Sequence, residues 1–353
     1  MGLVVLYRER TGFTHALTTP LAAKTNAEDA LNELGLPGYL DLSEPIIRRI
    51  VVTLWAIHNS TNTAKLEGKD RNSTGMPLLV GGGAVKVLSP TANERGSPLN
   101  RRIGDADFVS TRRDGPQLIR MLTHISEQTG NAYHYFLTDS DKMFNALRGG
   151  SRYRIRGATA VSESDAVVST TDILVGAVDM RHRIDILPSD FERARENLYT
   201  VGPEKLLLTK AQVISELDYA ELDRLKASGQ EFRILNHLGY RKGRVIIGME
   251  AKDMLDVCAI LLDRNHRLEV EPRLDLQRLT SYLRRDEKLA LTVRLNLENL
   301  VAQTEWLRAK GLTKAQTETI RESATDILGA LPAVSKAWKR PWWNTEVDSQ
   351  VVS

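Results

Sequence analysis

The stretch MPLLVGGGAVKVL (residues 76–88) decides how the rest of the chain is read. An apolar run broken by three consecutive glycines predicts a buried strand, a tight turn and a helix beginning on that turn. Without a Cβ, Gly81 and Gly82 would let backbone N–H groups approach phosphate oxygens closely. Working outward, GDADFV (104–109) alternates acidic and apolar side chains, the pattern of a half-buried strand. Two residues apart on a strand, Asp105 and Asp107 face the same way. Both carboxylates can then converge on a hard, oxygen-preferring cation such as Mg²⁺ or Mn²⁺. HRIDIL (182–187) offers a third carboxylate, Asp185, on a later strand. Three such groups would complete a two-metal site with ions roughly 3.5–4 Å apart, able to activate a hydroxyl and neutralise a transferring phosphoryl group.

The flanking segments fill in an architecture. A short helical pattern covers Ala27–Leu34, and Pro45 opens an amphipathic helix over 45–58. The polar stretch 59–75 reads as a loop. Residues 116–129 repeat apolar positions at helical spacing. Tyr133–Leu137, Tyr153–Ile155, Asp172–Val178 and Arg183–Leu187 read as strands. From Pro203 onward the pattern is helical, through Met254–Leu262, Leu274–Tyr282, Lys288–Lys310 and Lys314–Leu331. The expectation is an α+β protein with four parts. These are a mostly helical extension and linker (1–75), a mixed-sheet domain (76–200), a helical domain (201–340) and a tail (341–353).

Taken in order, LLVGGGAVKVL, RRIGDADFV and HRIDIL resemble the DNA polymerase β-type nucleotidyltransferase superfamily. The later segments PEKLLLTKAQVIS and AKDMLDVCAILL are similar to the helical half of AbiEii-type nucleotidyltransferases, bacterial toxin and abortive-infection proteins. The resemblance covers about 76–265. It implies a nucleotidyltransferase-fold sheet and an enzyme moving a nucleoside monophosphate from an NTP to an acceptor hydroxyl. Asp105, Asp107 and Asp185 would hold the metal, Gly81 and Gly82 would cradle phosphates, and Lys210 and Asp253 would complete the catalytic set. The implied acceptor is RNA such as a tRNA end, and the implied partner is an antitoxin protein. A catalytically silent nucleotide-binding scaffold and a transferase acting on small molecules are the alternatives. The chain departs from the family pattern in Gly83, which stands where Ser or Thr is frequent, and in the polar insertion SPTANERGSPLNRR (89–102).

Each residue also has a plainer reading. Asp185 can pair Arg181 or Arg183, Lys252 can pair Asp256 along a helix, and Arg101 and Arg102 can be surface charge or can steer a triphosphate. SRYRIRG (151–157) and KAWKRPWW (336–343) mix basic and aromatic residues, as RNA-binding surfaces do. The tryptophans can equally pack a terminal segment onto the body.

Composition narrows the class. The chain has 353 residues, 42% hydrophobic and 26% charged, with a net charge of +3. That suits a globular protein of two or three domains and is too weakly basic to name nucleic acid as partner on charge alone. A single cysteine, Cys258, excludes a disulfide framework and a cysteine zinc site. No apolar run reaches the ~20 residues of a membrane span, and Leu3–Leu6 is too short for a signal-peptide core. The expected location is cytoplasmic.

Overall fold

The computed structural model describes residues 27–36, 38–66, 77–111, 115–128, 132–160, 165–192, 198–235, 243–263, 274–333 and 341–345. The expectations for residues 1–26, for 67–75, for Trp338 and for the last part of the tail lie outside these residues.

Two helices come first, α1 (Ala27–Leu34) and α2 (Pro45–Leu66). The second runs past the expected stop at 58, because NSTNTAKL is polar but contains no Gly or Pro to break it. Strand β1 (Leu78–Val80) passes directly into α3 (Gly81–Leu88), as read from the sequence. The switch falls at Gly81, whose φ of +70 is strained for any side-chain-bearing residue. Strand β2 (Asp107–Ser110) lies antiparallel to β1, with Val80 opposite Asp107. Helix α4 (Gly115–Gln128) leads to β3 (Tyr133–Phe136), then α5 (Asp139–Arg148), β4 (Arg152–Ala160) and β5 (Ala166–Val175). The sheet order is β1-β2-β5-β4-β3. Only β2 and β5 are parallel, so the five-stranded sheet is mixed.

Some elements were not foreseen. Thr138 caps α5 through a reciprocal box with Asp141, a local signal that T-x-x-D carries. The expected strand 172–178 is two strands, because Gly176 turns the chain at φ +71. Beyond it, β6 (Ala177–Asp179) and β7 (Arg183–Asp185) form a separate antiparallel pair. A five-residue helix, α6 (Pro188–Glu192), follows.

The region after 203 opens with α7 (Pro203–Ala211) but is not wholly helical. Strands β8 (Ser215–Asp218), β9 (Phe232–Ile234) and β10 (Arg244–Glu250) form a second sheet, with α8 (Tyr219–Ala227) between the first two. The β-branched run Val245–Ile247 is buried against Leu222, Leu235 and Leu295, and that burial outweighs the weak helical reading. Then come α9 (Ala251–Leu262), α10 (Leu276–Leu283), α11 (Glu287–Ala302), α12 (Thr304–Ala309) and α13 (Lys314–Ala330). The expected helix 288–310 is interrupted at Gln303, which caps both α11 and α12.

One cluster of buried apolar side chains extends from Ala27 to Leu331 and includes β1, β2, α7 and α9. Leu206, Leu207 and Leu208 in α7 are all buried, each contributing about 1.5–3 kcal/mol. This packing anchors the helix that carries Lys210. Helix α2 covers one sheet face, where buried Arg49 donates to Gly157 O at 2.8 Å and Thr53 bonds the Tyr135 hydroxyl at 2.6 Å. Trp342 and Trp343 are buried with Ile214, Ile246 and Leu295, and the Trp342 indole N–H donates to Thr292 at 3.0 Å. They pack the end of the described chain onto the body rather than face solvent. Among the described residues, no helix is long and apolar enough to cross a membrane.

Candidate functional site

The glycine turn lies between an acidic group and a basic one. On its acidic side, a Cβ at Gly81 would stand 3.6 Å from Asp107 Oδ2. Asp107 opens β2, and Asp105 lies two residues earlier in an exposed approach. In the parallel register Phe108 pairs Ile173, so Asp172 falls beside Asp107 on the same sheet face. The Asp172 backbone N–H donates to Asp107 Oδ1 at 3.3 Å. Burial, then the charges of Asp105 and Asp172, push the Asp107 carboxyl up to about 8. The nearby Arg152 charge only partly offsets this, and a carboxyl raised by burial and like charge is a mark of functional sites.

On the basic side, a Cβ at Gly82 would come within 2.6 Å of Arg101 Nη2. The Arg101 guanidinium grips Asp256 in bidentate fashion, Nε to Oδ1 at 2.7 Å and Nη2 to Oδ2 at 2.6 Å. Lys210 joins the same carboxylate at 2.8 Å and Asp253 at 3.1 Å. Burial alone would lower the Lys210 amine, but Asp256 and Asp253 outweigh it and hold it above the usual lysine range. Burial likewise pushes Asp256 up, while Lys210 and Arg101 bring it below the usual carboxylate value. The α9 sequence KDMLD places Asp253 and Asp256 three apart on one helix face. Lys252 turns instead to Glu250 at 2.6 Å.

The structure thus brings together Gly81, Gly82, Asp105, Asp107, Lys210 and Asp253. It does not bring Asp185 to them. Gly176 N–H donates to Ser110 O at 2.7 Å, at the far end of β2 from Asp107. Asp185 lies beyond that point, opposite Ala177 in the β6–β7 pair. Its exposed carboxylate accepts from Arg183 Nε at 2.8 Å. The plainer reading of Asp185 as an ion-pair partner is the one its surroundings match.

Asp172 occupies the place expected of Asp185. Both are followed by Ile-Leu in strand segments, STTDILV and HRIDIL, with Thr171 before Asp172 and Ile184 before Asp185, and the two lie in different sheets on either side of the turn at Gly176. Asp172 also receives Arg154 Nε at 3.0 Å and Arg152 Nη2. Among the described residues, no three His, Cys, Asp or Glu side chains are placed closely enough to share one ion. The donor chemistry of Asp105, Asp107 and Asp172 nonetheless fits a hard divalent cation, being carboxylate oxygen throughout.

Gly83 has a packing reason. A Cβ there would come within 2.8 Å of Ile50 Cδ1 and 3.4 Å of Leu79 Cδ1. Its side-chain direction leads into the core, so a serine hydroxyl at this position would not face the glycine turn. The insertion 89–102 folds back onto α3, where buried Lys86 Nζ donates to Ala92 O at 2.8 Å, and it delivers Arg101 to Gly82.

No family model matches the chain, and neither a curated protein nor a solved structure matches it.

Proposed function

We propose that the protein is a metal-dependent nucleotidyltransferase that moves a nucleoside monophosphate from an NTP to an acceptor hydroxyl and releases pyrophosphate. One observation carries the reading: the Gly81-Gly82 turn separates a crowded carboxylate group suited to cations from the guanidinium of Arg101 and the amine of Lys210, which Asp256 and Asp253 hold beside the turn. In this reading the mixed sheet is a nucleotidyltransferase fold. Asp105 and Asp107, with Asp172 in the role first given to Asp185, would hold Mg²⁺ or Mn²⁺. The bound ion would supply Lewis-acid activation and neutralise charge at the reacting phosphorus. The backbone N–H groups at Gly82 and Gly83 would receive phosphate oxygens, aided by the start of α3. Arg101 would add a planar, multi-donor contact. Lys210 would balance phosphate charge, and Asp253 would fix its position. The RNA or tRNA acceptor, the antitoxin partner and the cytoplasmic setting of a toxin–antitoxin or phage-defence system rest on the resemblance.

The test is transfer of label from α-³²P NTPs to total RNA or protein in the presence of Mg²⁺. Transfer that disappears in Asp107→Ala supports the reading. NTP binding without transfer to any acceptor supports the second reading, a silent nucleotide-binding scaffold. The observation that favours that alternative is the engagement of Asp172 by Arg152 and Arg154. Transfer only to a small hydroxyl compound would point to the small-molecule class.

A further inference from the structure

Both oxygens of the Asp172 carboxylate are taken by arginines of β4. Arg154 Nε donates to Oδ1 at 3.0 Å, and Arg152 Nη2 donates to Oδ2. The two arginines are not held alike. The Arg154 guanidinium lies 4.4 Å from the Phe144 ring centroid. Its backbone is tied to the Asn145 side chain, which donates to Arg154 O at 2.8 Å and accepts from Arg154 N–H at 2.6 Å. Asp172 is the one side chain that bonds the Arg152 guanidinium among the described residues. The Arg152 Nε–H is buried without an acceptor, a state that is costly to keep. The side chain nonetheless keeps 38% of its surface exposed, so a way out to solvent is open.

Charge points the same way. The acidic side of the glycine turn holds three carboxylates, Asp105, Asp107 and Asp172, and two guanidiniums, Arg152 and Arg154. Arg156 is matched by Asp141, and Arg101 and Lys210 are matched by Asp253 and Asp256 across the turn. The acidic group therefore carries one net negative charge at most, and a divalent ion entering alone would turn it positive. Burial opposes the Arg152 charge, but its bond to Asp172 and the charges of Asp172, Asp107 and Asp105 outweigh it. Arg152 thus already faces the three carboxylates that fit a cation.

We propose that Arg152 is a displaceable counter-cation that bars free divalent ions from the carboxylate site and admits them together with the nucleotide. A triphosphate brings an excess of negative charge that balances the incoming cation. It also offers the guanidinium an anionic partner in exchange for Asp172. Arg154, fixed on Phe144, stays in place. This role rests on the transferase reading of the site and adds an order of binding to it. Arg152 acts through Asp172 and is a positioning residue.

The experiment titrates the full chain with Mn²⁺ alone and follows the electron paramagnetic resonance signal of the free ion. Arg152→Gln is expected to bind Mn²⁺ roughly 5-fold more tightly than the parent, the scale of a partly exposed ion pair. Tighter binding is an outcome that damage to the fold would not give. Arg152→Lys keeps the charge and should bind like the parent. Arg224→Gln removes an equal charge from the exposed side of α8 and should also bind like the parent. Anisotropy of a fluorescent, non-hydrolysable NTP analogue in Mn²⁺ is the second measurement. There Arg152→Gln should bind more weakly than the parent, so the preference for the complexed ion over the free one shrinks. Melting curves confirm that each variant is folded. The proposal is overturned if Arg152→Gln binds free Mn²⁺ no more tightly than the parent, or if Arg224→Gln tightens it equally. If neither the parent nor any variant binds Mn²⁺ or the NTP analogue, the transferase reading fails and this role fails with it. If label is transferred while Arg152→Gln and the parent bind free Mn²⁺ alike, only the role of Arg152 fails.

Discussion

Replacing Asp107 by Asn is expected to stabilise the protein while abolishing transfer. Asp107 faces Asp105 and Asp172, with the Arg152 charge a smaller opposing influence, and burial adds to the two like charges. Its folded value of about 8 compares with about 3.9 in an unfolded chain. Four units at 1.36 kcal/mol each set an upper bound of about 5–6 kcal/mol. Asp107 is only half-buried, so solvent screening reduces the expected effect to about 2–4 kcal/mol. The sign follows from the direction of the shift. With a folded value above the unfolded one, the group's contribution is full below about pH 4 and is lost as pH rises through about 8. Asn cannot ionise, so Asp107→Asn should melt several degrees above the parent at pH 8 and nearly with it at pH 4. Mg²⁺ or Mn²⁺ should raise the melting temperature of the parent at pH 8 and leave the variant nearly unchanged. The assay is a set of thermal melts across pH, with and without the cation. A variant less stable than the parent at pH 8, or an offset independent of pH, would refute the argument that like charges crowd this carboxyl.

Three further outcomes follow from the same geometry. Lys210→Met leaves Asp253 and Asp256 without their shared amine; urea unfolding should show a loss of about 3–5 kcal/mol, and NTP affinity should fall. Gly83→Ser forces a side chain against Ile50 and should cost about 1–3 kcal/mol without strengthening NTP binding, measured by denaturation and by titration. His182 is buried, bonded to Thr292 at 2.8 Å, and burial holds it down at about 4 against the opposing pull of Asp286, with Lys288 adding a smaller push. A depressed histidine contributes stability above about pH 6.5 that is lost as pH falls toward about 4. His182→Gln should flatten that acid limb by up to about 3 kcal/mol, and an unchanged limb in pH-dependent melts would contradict it.

The sequence made some features legible because their signals are local. The strand, glycine turn and helix of 78–88 need only an apolar run and Gly81. The same-face pairing of Asp105 and Asp107 follows from the strand period of two, and that of Asp253 and Asp256 from the helix period. The second sheet is less legible: β8 and β9 are only three or four residues long, and although β10 carries the apolar run Val245–Ile247, its pairing partners and the burial it gains from Leu295 lie elsewhere in the chain. Arg101 could not be separated from Arg102 by sequence, since only the fold of 89–102 decides which guanidinium reaches Asp256.

By itself, then, the order of residues determined that a glycine turn precedes a pair of aligned carboxylates, and that a lysine and two aspartates recur on later helices. Tertiary structure alone decided which distant carboxylate joins that pair. Asp172 and Asp185 each precede an Ile-Leu pair in a strand segment, and no local period says which of the two strands pairs with β2. The parallel register of β2 with β5 brings Asp172 beside Asp107, while the turn at Gly176 carries Asp185 past the other end of the strand. Strand pairing is a long-range choice, set by which faces bury the most apolar surface, and no local pattern encodes it.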